Sequence, residues 1–348
     1  MNASPDGNYS ELSRQVLVIS AIVALVTLFL IFVWFARRVF FLIFGGILLA
    51  VMIRGIGDWI GRKTGMNRTL SITLVILLIT LLIIGFSALF GVRIYTEAQK
   101  LTQEIPGSFQ QVPDKLGQYP LIGRLMQEIP KLKDVAGPIW ENFSSFFFSV
   151  TGAVMAVAFI AFLGVYLAYD PELYIHGLLR LFPARHRPHI GKALDLTGNI
   201  LQWWLIGRLI SMLVLGLLTG IGLWFLGINM ALTLGVFAGI MAFVPYIGPI
   251  ISFIPAGLVA LSMGLTPLLW VLVLYMGIQI IESYVLTPLV IQRTILIPPL
   301  LTLTAQVILG MIAGVVGIVF AMPFTAVIIL FVKYFYIQDV LGDEIEMK

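Results

Sequence analysis

Long apolar runs alternate with short polar stretches along most of the chain. The first apolar run covers residues 15–53, and further runs cover residues 69–92, 145–169 and 204–227. A helix of about 20 apolar residues crosses the roughly 30 Å hydrocarbon core of a bilayer. Because residues 15–53 exceed one such span, we expect two helices there, with a turn near Arg37 and Arg38. The pattern therefore predicts an all-α polytopic membrane protein.

The apolar run at residues 229–263 is interrupted by the sequence Pro-Tyr-Ile-Gly-Pro. Each arm of about 15 residues extends about 22 Å as a helix, which is less than the hydrocarbon thickness. Two short arms around such a turn predict a re-entrant helical hairpin. Its break residues are Pro245, Tyr246, Gly248 and Pro249. Non-helical backbone is tolerated at membrane depth only where protein buries it or an aqueous cavity adjoins it. The break therefore predicts an internal site.

A second interrupted segment, residues 297–321, follows a full span at residues 267–292, and a last apolar stretch covers residues 324–338. The break residues predicted around this segment are Pro298, Pro299, Gly310, Gly314, Gly317 and Pro323. Each broken segment followed by a span would cross the membrane once, so the two units would point in opposite directions. The pattern predicts seven or eight membrane segments in all. Interrupted segments in corresponding positions indicate the binding site of a transporter.

The segmentation divides the chain into three regions. Residues 1–92 carry membrane helices 1–3, and residues 144–348 form a transport core with the hairpins at 229–263 and 297–321. Between them, residues 93–143 are rich in charged residues and proline. This composition favours short amphipathic helices or turns at the membrane surface. A disordered loop is the alternative for this region.

Composition and charge fit a membrane protein. Hydrophobic residues make up 60% of the 348 residues and charged residues only 11%, whereas soluble domains carry about 25% charged residues. The net charge of +4 reflects basic loops, which tend to remain in the cytoplasm. The loops at residues 54–68 and 170–200 are separated by two spans and fall on one side. We therefore expect a cytoplasmic N-terminus and residues 93–143 outside, although Arg37 and Arg38 point the other way.

Motifs for other classes of function are absent from the sequence. The chain has no cysteine, which excludes disulfides and thiolate metal sites. The three histidines, His176, His186 and His189, share one loop, and a solvated loop is favoured over a metal site. No Walker A, HExxH or GxSxG motif occurs. We expect no enzyme activity, no cofactor, no metal and no nucleic-acid partner.

Glu282 is the acidic residue that this segmentation places within an apolar span. A charged group there is costly and is read as functional by default. Helical spacing puts Tyr275, Gln279 and Glu282 on one face, and Thr302 and Gln306 on another. We expect these faces to line a pathway for a solute or ion. The alternatives are that Glu282 forms a buried pair, for example with Arg208, or that it lies near the membrane interface and reaches water.

Five consecutive blocks of the sequence carry a resemblance to a known family. They are LFPARHR, LQWWLIGRLI, FVPYIGPIISFIPA, IESYVLTPLVIQRTILIPPL and GMIAGVVGIVFAMPFTAV. Together they resemble the autoinducer-2 exporter family of bacterial permease-like proteins, most strongly over residues 181–330. The resemblance implies export of a small polar molecule or ion-coupled transport in the inner membrane by a homo-oligomer, and it suggests a pentamer.

The resemblance also carries individual residues over to this chain. They are Pro245, Gly248, Pro249, Glu282, Pro288, Pro299, Gly314, Gly317 and Pro323. Ser283 stands where the family commonly has asparagine, and Arg208 stands where it commonly has glutamine. These two differences leave the substrate open.

Three functions follow from these observations. The first is a secondary transporter that moves a small polar solute. The second is a sodium (lithium)/proton antiporter that exchanges H⁺ or Na⁺ at Glu282. The third is a non-transporting membrane scaffold whose region 93–143 binds a partner.

Overall fold

The structure is a computed structural model that describes residues 6–116, 150–288 and 297–342. Within these ranges the chain forms helices joined by short turns. The first five helices are α1 (Asp6–Thr64), α2 (Arg68–Leu116), α3 (Val150–Tyr169), α4 (Pro171–Arg180) and α5 (Arg187–Phe225). The next five are α6 (Ala231–Met241), α7 (Ile247–Met263), α8 (Leu265–Ile281), α9 (Pro299–Ala313) and α10 (Val315–Phe331). A π-helix extends α8 over Glu282–Leu286, and another extends α10 over Val332–Gln338.

Five helical stretches in the described residues are long and apolar enough to cross a membrane. They are Val39–Thr64, Arg68–Glu97, Ala184–Phe225, Leu265–Leu286 and Val315–Gln338. A sixth arises if α3 and α4, which meet at an angle of 85°, count as one broken span. Helices α6, α7 and α9 have 11, 17 and 15 residues, and such lengths fall short of the hydrocarbon thickness.

Helix α1 is one continuous helix where the sequence predicts two. The predicted turn near Arg37 and Arg38 does not form. Arginine is a good helix former, and a charged side chain leaves the backbone hydrogen bonds intact, so this pair has no local means of ending a helix. A proline or a suitably placed glycine would be needed for that.

The loop predicted at residues 170–200 is largely helical, and residues 93–116, predicted as short amphipathic helices or turns, belong to one long helix. Residues 93–116 continue α2 without interruption, and residues 187–200 form the first turns of α5. Residues 93–105 contain neither proline nor glycine, so polarity alone did not end the helix. At the start of α5, Pro188 occupies a first-turn position that tolerates proline. The prediction for residues 117–143 lies outside the described residues.

The turn between α1 and α2 and the bend between α3 and α4 lie at the same end of the helix bundle. The side chains of Arg68 and Glu172 approach to 3.8 Å, and the hydroxyl groups of Thr73 and Tyr169 lie 2.8 Å apart. We call this end of the bundle the basic end. His189, on the first turns of α5, contacts Asp339 there with a 2.7 Å separation between Nε2 and Oδ2.

Helices α5 and α6 approach each other through glycines. Gly216 and Gly220 of α5 face Gly239 and Gly235 of α6, and an added Cβ at Gly235 would collide with the backbone of Gly220. The small-residue spacing therefore serves close helix packing. This packing makes α6 run antiparallel to α5.

Helix α7 turns back alongside α6. Ala256 and Ala260 of α7 pack with Leu223 of α5 and Leu234 of α6 in one buried cluster. Helices α9 and α10 form a second antiparallel pair around Gly314, whose φ of +66° suits glycine. The sequence predicted that the helix stops at Pro323, but α10 continues through it. Proline is tolerated within apolar membrane helices because neighbouring groups compensate for the lost hydrogen bond.

Candidate functional site

The centre of the candidate site is the backbone break between α6 and α7. Tyr246 has a φ of +64° and a ψ of −52°, and the amide of Ile247 donates to the carbonyl of Pro245 at 2.7 Å. This is the geometry of a three-residue γ-turn, a strained conformation for a residue with a side chain. Such a turn leaves carbonyl groups without helical partners, and they must be satisfied in another way.

Two side chains from other helices satisfy carbonyls of this break. Arg208 of α5 donates from Nε to the carbonyl of Phe243 at 3.0 Å. Gln306 of α9 donates from Nε2 to the carbonyl of Pro245 at 3.0 Å, and Gln306 is fully buried. The break is therefore held between two helices that are far apart in sequence.

Arg208 also contacts Glu282 at the end of α8. The Nη1 atom of Arg208 lies 3.4 Å from Oε1 of Glu282. Gln279 donates from Nε2 to the other carboxylate oxygen at 3.3 Å. The side chains of Arg208 and Glu282 are only 11% and 9% exposed, so this ion pair is shielded from bulk solvent. The structure thus forms the pair that the sequence analysis gives as an alternative for Glu282.

Glu282 begins the π-helical stretch that follows α8. The carbonyl of Glu282 accepts from the backbone amide of Thr287 and from its hydroxyl at 2.8 Å. Single π-helical turns within α-helices occur frequently at functional sites. The sequence analysis did not predict this irregularity, although Pro288 cannot donate to the carbonyl four residues earlier and is a local signal for it.

Tyr275, Thr302 and Ser283 lie outside the contacts around Glu282. The Tyr275 hydroxyl donates to the carbonyl of Ser252 on α7 at 3.1 Å. The Thr302 side chain is buried and faces the carbonyl of Pro298 at 3.5 Å. Ser283 is exposed. Of the predicted pathway residues, the structure therefore brings Arg208, Gln279, Glu282 and Gln306 to the break.

The glycines predicted at the two hairpins have identifiable steric roles. A Cβ at Gly248 would collide with the carbonyl of Met241, and a Cβ at Gly317 would collide with the carbonyl of Leu309. Gly310 lies against the side chain of Ile318. Three predicted prolines lie at helix starts: Pro249 in the first turn of α7, Pro298 before α9 and Pro299 as its first residue.

Two buried polar atoms at the break have no hydrogen-bond partner among the residues that the structure describes. They are Nη2 of Arg208, a donor, and Oε1 of Gln306, an acceptor. A buried polar group without a partner is unfavourable by about 1–3 kcal/mol. Arg208 and Gln306 bind the carbonyls of Phe243 and Pro245, which are two residues apart, so the unpaired donor and the unpaired acceptor belong to the same break.

Glu97 is a second polar contact of the hairpin that the sequence analysis missed. It lies at the end of the span in α2, and the hydroxyl of Thr233 donates to its Oε2 at 2.5 Å. Its other oxygen pairs with Arg93 at 2.9 Å. Thr233 sits in the first turn of α6, where a helix N-terminus favours a carboxylate. Glu97 falls within residues 93–143, the region predicted at the membrane surface, because charged residues follow the apolar run 69–92.

Comparisons with known proteins agree on one family. A family model described as AI-2E family transporter matches residues 22–337. The chain is 27% identical over 302 residues to "Putative transport protein YrrI" of Bacillus subtilis, covering 84% of this chain and 85% of that protein. It is 26% identical over 335 residues to "Putative transport protein MT0215" of Mycobacterium tuberculosis, covering 90% and 86%. Over 277 residues it is 23% identical to "Putative permease PerM" of Escherichia coli, covering 74% and 76%.

Proposed function

This chain belongs to the AI-2E family of transporters and is a multi-pass membrane protein; we propose that it moves a small polar solute through a site at the break between α6 and α7. The family consists of transporters and permeases rather than enzymes. The proposal rests on the buried contacts of the break. Arg208, which pairs with Glu282, donates to the carbonyl of Phe243, and Gln306 donates to the carbonyl of Pro245.

The unpaired atoms indicate the chemistry of the solute. Nη2 of Arg208 can donate a hydrogen bond, and Oε1 of Gln306 can accept one. A small molecule with both hydroxyl and carbonyl groups would satisfy both atoms. A bare cation would satisfy only Gln306 and would lie beside the charge of Arg208. The two unpaired atoms therefore favour a polar solute over a metal cation at this site.

The antiporter remains the second candidate because Glu282 is a buried carboxylate at the break. Exchange of H⁺ or Na⁺ at Glu282 would require that Arg208 release the carboxylate during the cycle. A scaffold without transport activity is the third candidate. It would explain the buried pair as a packing device, but it gives no role to the unpaired donor and acceptor.

We propose that α6–α7 and α9–α10 are re-entrant hairpins of an inverted-repeat-like core. Both are antiparallel pairs, and three of their four helices are shorter than a bilayer span. In this arrangement Arg208 lies about five helical turns, or roughly 26 Å, from the C-terminal end of α5, which places it toward the opposite boundary of the roughly 30 Å hydrocarbon region. Counting these two hairpins with the four other candidate spans of the described residues, and with α3–α4 as a fifth, gives six or seven segments, against the seven or eight expected from the sequence.

The orientation follows from the basic end of the bundle. The contact between Arg68 and Glu172 supports one common side for residues 54–68 and 170–200. We propose that this side is cytoplasmic and that the protein resides in a bacterial inner membrane. The expected cytoplasmic N-terminus required two crossings within residues 15–53, whereas α1 is one continuous helix that ends on this side. We therefore propose that the start of α1 lies on the opposite side. Compartment-specific reporters fused at residues 65, 120 and 185 test this topology. Opposite locations for residues 65 and 185 would contradict it.

Family membership also supports a homo-oligomer, and the resemblance suggests a pentamer. Many large apolar side chains are exposed on the described surface, for example Leu82, Leu89 and Trp224. Lipid or neighbouring subunits would cover them. The mass of the purified protein in detergent, corrected for bound detergent, gives the subunit number.

Flux through liposomes that contain only this protein tests the proposed function. One set of vesicles is loaded with a hydroxylated furanone, a small polar solute that carries hydroxyl and carbonyl groups, and its efflux is measured. Another set contains a pH-sensitive dye and receives a sodium or lithium gradient. Each measurement is repeated with Glu282→Gln and with protein-free vesicles.

The outcomes separate the three candidates. Furanone efflux that depends on the protein supports solute transport. A proton flux that follows the sodium gradient and disappears in Glu282→Gln supports the antiporter and contradicts the solute assignment. If neither flux exceeds that of protein-free vesicles, the scaffold is favoured for the solutes tested.

A further inference from the structure

A basic cavity lies between α4 and the first turns of α5, away from the break. It has a volume of about 440 Å³, which is within the range of small-ligand sites. Its lining includes three cationic side chains, Arg180, Arg187 and Lys192, and the carboxylate of Asp195. The excess of positive charge indicates that an anionic group would bind there.

The shape of the cavity is set by local hydrogen bonds. Arg187 donates from Nε to the carbonyl of Phe182 at 3.1 Å, which orients one side of its guanidinium group. Nδ1 of His176, another lining residue, lies 2.7 Å from the carbonyl of Glu172. Pro188 and Gly191 add the N-terminal turn of α5 to the wall, where the helix dipole also favours an anion.

The position of α4 indicates what kind of anion reaches this cavity. The helix meets α3, an apolar helix of 20 residues, at 85°, and it contains no buried residue. Leu173 and Leu178 on α4 are exposed, as are Leu181 and Phe182 just after it. A helix perpendicular to a span, with exposed apolar side chains and adjacent basic groups, is typical of an element at the lipid–water interface.

We propose that the cavity between α4 and α5 binds the phosphate headgroup of an anionic phospholipid. The phosphate would accept hydrogen bonds from Arg180 and Lys192, while the acyl chains would lie against the exposed apolar side chains of α4. Arginine and lysine are the usual partners of phosphate, and basic pockets between membrane helices bind anionic headgroups in other proteins. The site is independent of the transported solute.

Native mass spectrometry of the delipidated, detergent-purified protein tests the proposal. The protein is titrated with phosphatidylglycerol or with phosphatidylcholine of the same chain length. The double variant R180Q/K192Q removes two exposed charges from the cavity. The matched control, R62Q/R185Q, removes two exposed charges from the basic end without touching the cavity lining. We expect tight binding of phosphatidylglycerol to the parent and the control, and about tenfold weaker binding to R180Q/K192Q.

Three results would overturn the proposal. The first is an equal loss in both double variants, since it would mean that only diffuse surface charge attracts the lipid. The second is equal affinity for the two lipids. The third is complete displacement of phosphatidylglycerol by glycerol 3-phosphate added at the same concentration, whereas we expect no displacement. Complete displacement would assign the site to a soluble phosphate compound instead.

Discussion

The guanidinium group of Arg208 joins the backbone break to the carboxylate of Glu282. Its Nε atom donates to the carbonyl of Phe243 at 3.0 Å, and its Nη1 atom lies 3.4 Å from Oε1 of Glu282. One buried cation therefore links three elements: α5, the break after α6, and the end of α8. A movement of α5 would change both contacts, and a movement of the break or of the end of α8 would change one of them.

Neutralising one member of this pair should destabilise the protein more than neutralising both. Glu282→Gln or Arg208→Gln leaves a buried charge without its partner, which costs roughly 3–5 kcal/mol. The double variant removes both charges, so its Tm in detergent should lie above that of either single variant. Flux in liposomes should be lost in all three. Normal flux in the double variant would mean that the pair serves stability alone.

Gln306→Met should destabilise the break by about 0.5–1.5 kcal/mol, because the carbonyl of Pro245 loses one of its two donors and keeps the backbone amide of Ile247. Methionine has a similar length and is apolar, so packing changes little. The matched control is Thr325→Val in α10, where the hydroxyl bonds only to the carbonyl of Ala321 in the same helix at 2.7 Å. We expect a lower Tm and lower flux for Gln306→Met than for the control. Equal values in both variants would argue against a role for Gln306 at the break.

The stability of Tyr246 variants should depend on how well the new residue tolerates the positive φ at that position. Glycine adopts a positive φ without penalty, so Tyr246→Gly should be at least as stable as the parent. Valine is β-branched and should lower stability by about 1–3 kcal/mol at the same position. Thermal unfolding of the two variants compares them directly. A valine variant as stable as the glycine variant would show that the turn relaxes.

The close packing of α5 and α6 should make Gly235 sensitive to even one methyl group. Gly235→Ala places a Cβ against the backbone of Gly220, and backbone atoms cannot move aside as a side chain can. We expect a loss of about 1–3 kcal/mol. Gly277→Ala, in α8, meets no atom within 4 Å and should instead gain a few tenths to 1 kcal/mol. Equal Tm values would contradict the described packing.

Cysteine labelling should distinguish an aqueous cavity at the break from a lipid-facing surface. The chain has no native cysteine, so single substitutions carry no background. Tyr246→Cys replaces a side chain that is 43% exposed at the break, and Leu217→Cys replaces one that is 54% exposed on α5. In membranes, a charged thiol reagent should modify residue 246 and leave residue 217 unmodified. Failure to modify residue 246 would contradict an aqueous cavity.

The membrane class, the interruption at Pro245 and Tyr246 and the candidate residues Glu282 and Gln306 can be predicted from the sequence alone. Gly248 and Pro249, which were predicted within the break, lie in the first turn of α7. Apolar run length and the positions of proline and glycine act locally, so they can be read from the chain. Continuous helices across Arg37 and across residues 93–116 show the limit of such signals, because polarity alone does not end a helix. The sequence also predicted a helix end at Pro323, which membrane helices can accommodate.

Only the tertiary structure decided how the site is assembled. Gln306 binds a carbonyl 61 positions away along the chain, and Arg208 binds Glu282 across 74 positions. Such contacts depend on which helix faces pack together. Helical periodicity shows which residues share a face, but it does not show which face of another helix they contact. For the same reason the contact of Glu97 with Thr233 and the basic cavity beside α4 emerged only from the folded chain. The physical cause is that burial and hydrogen bonding between distant segments are properties of packing, not of local propensity.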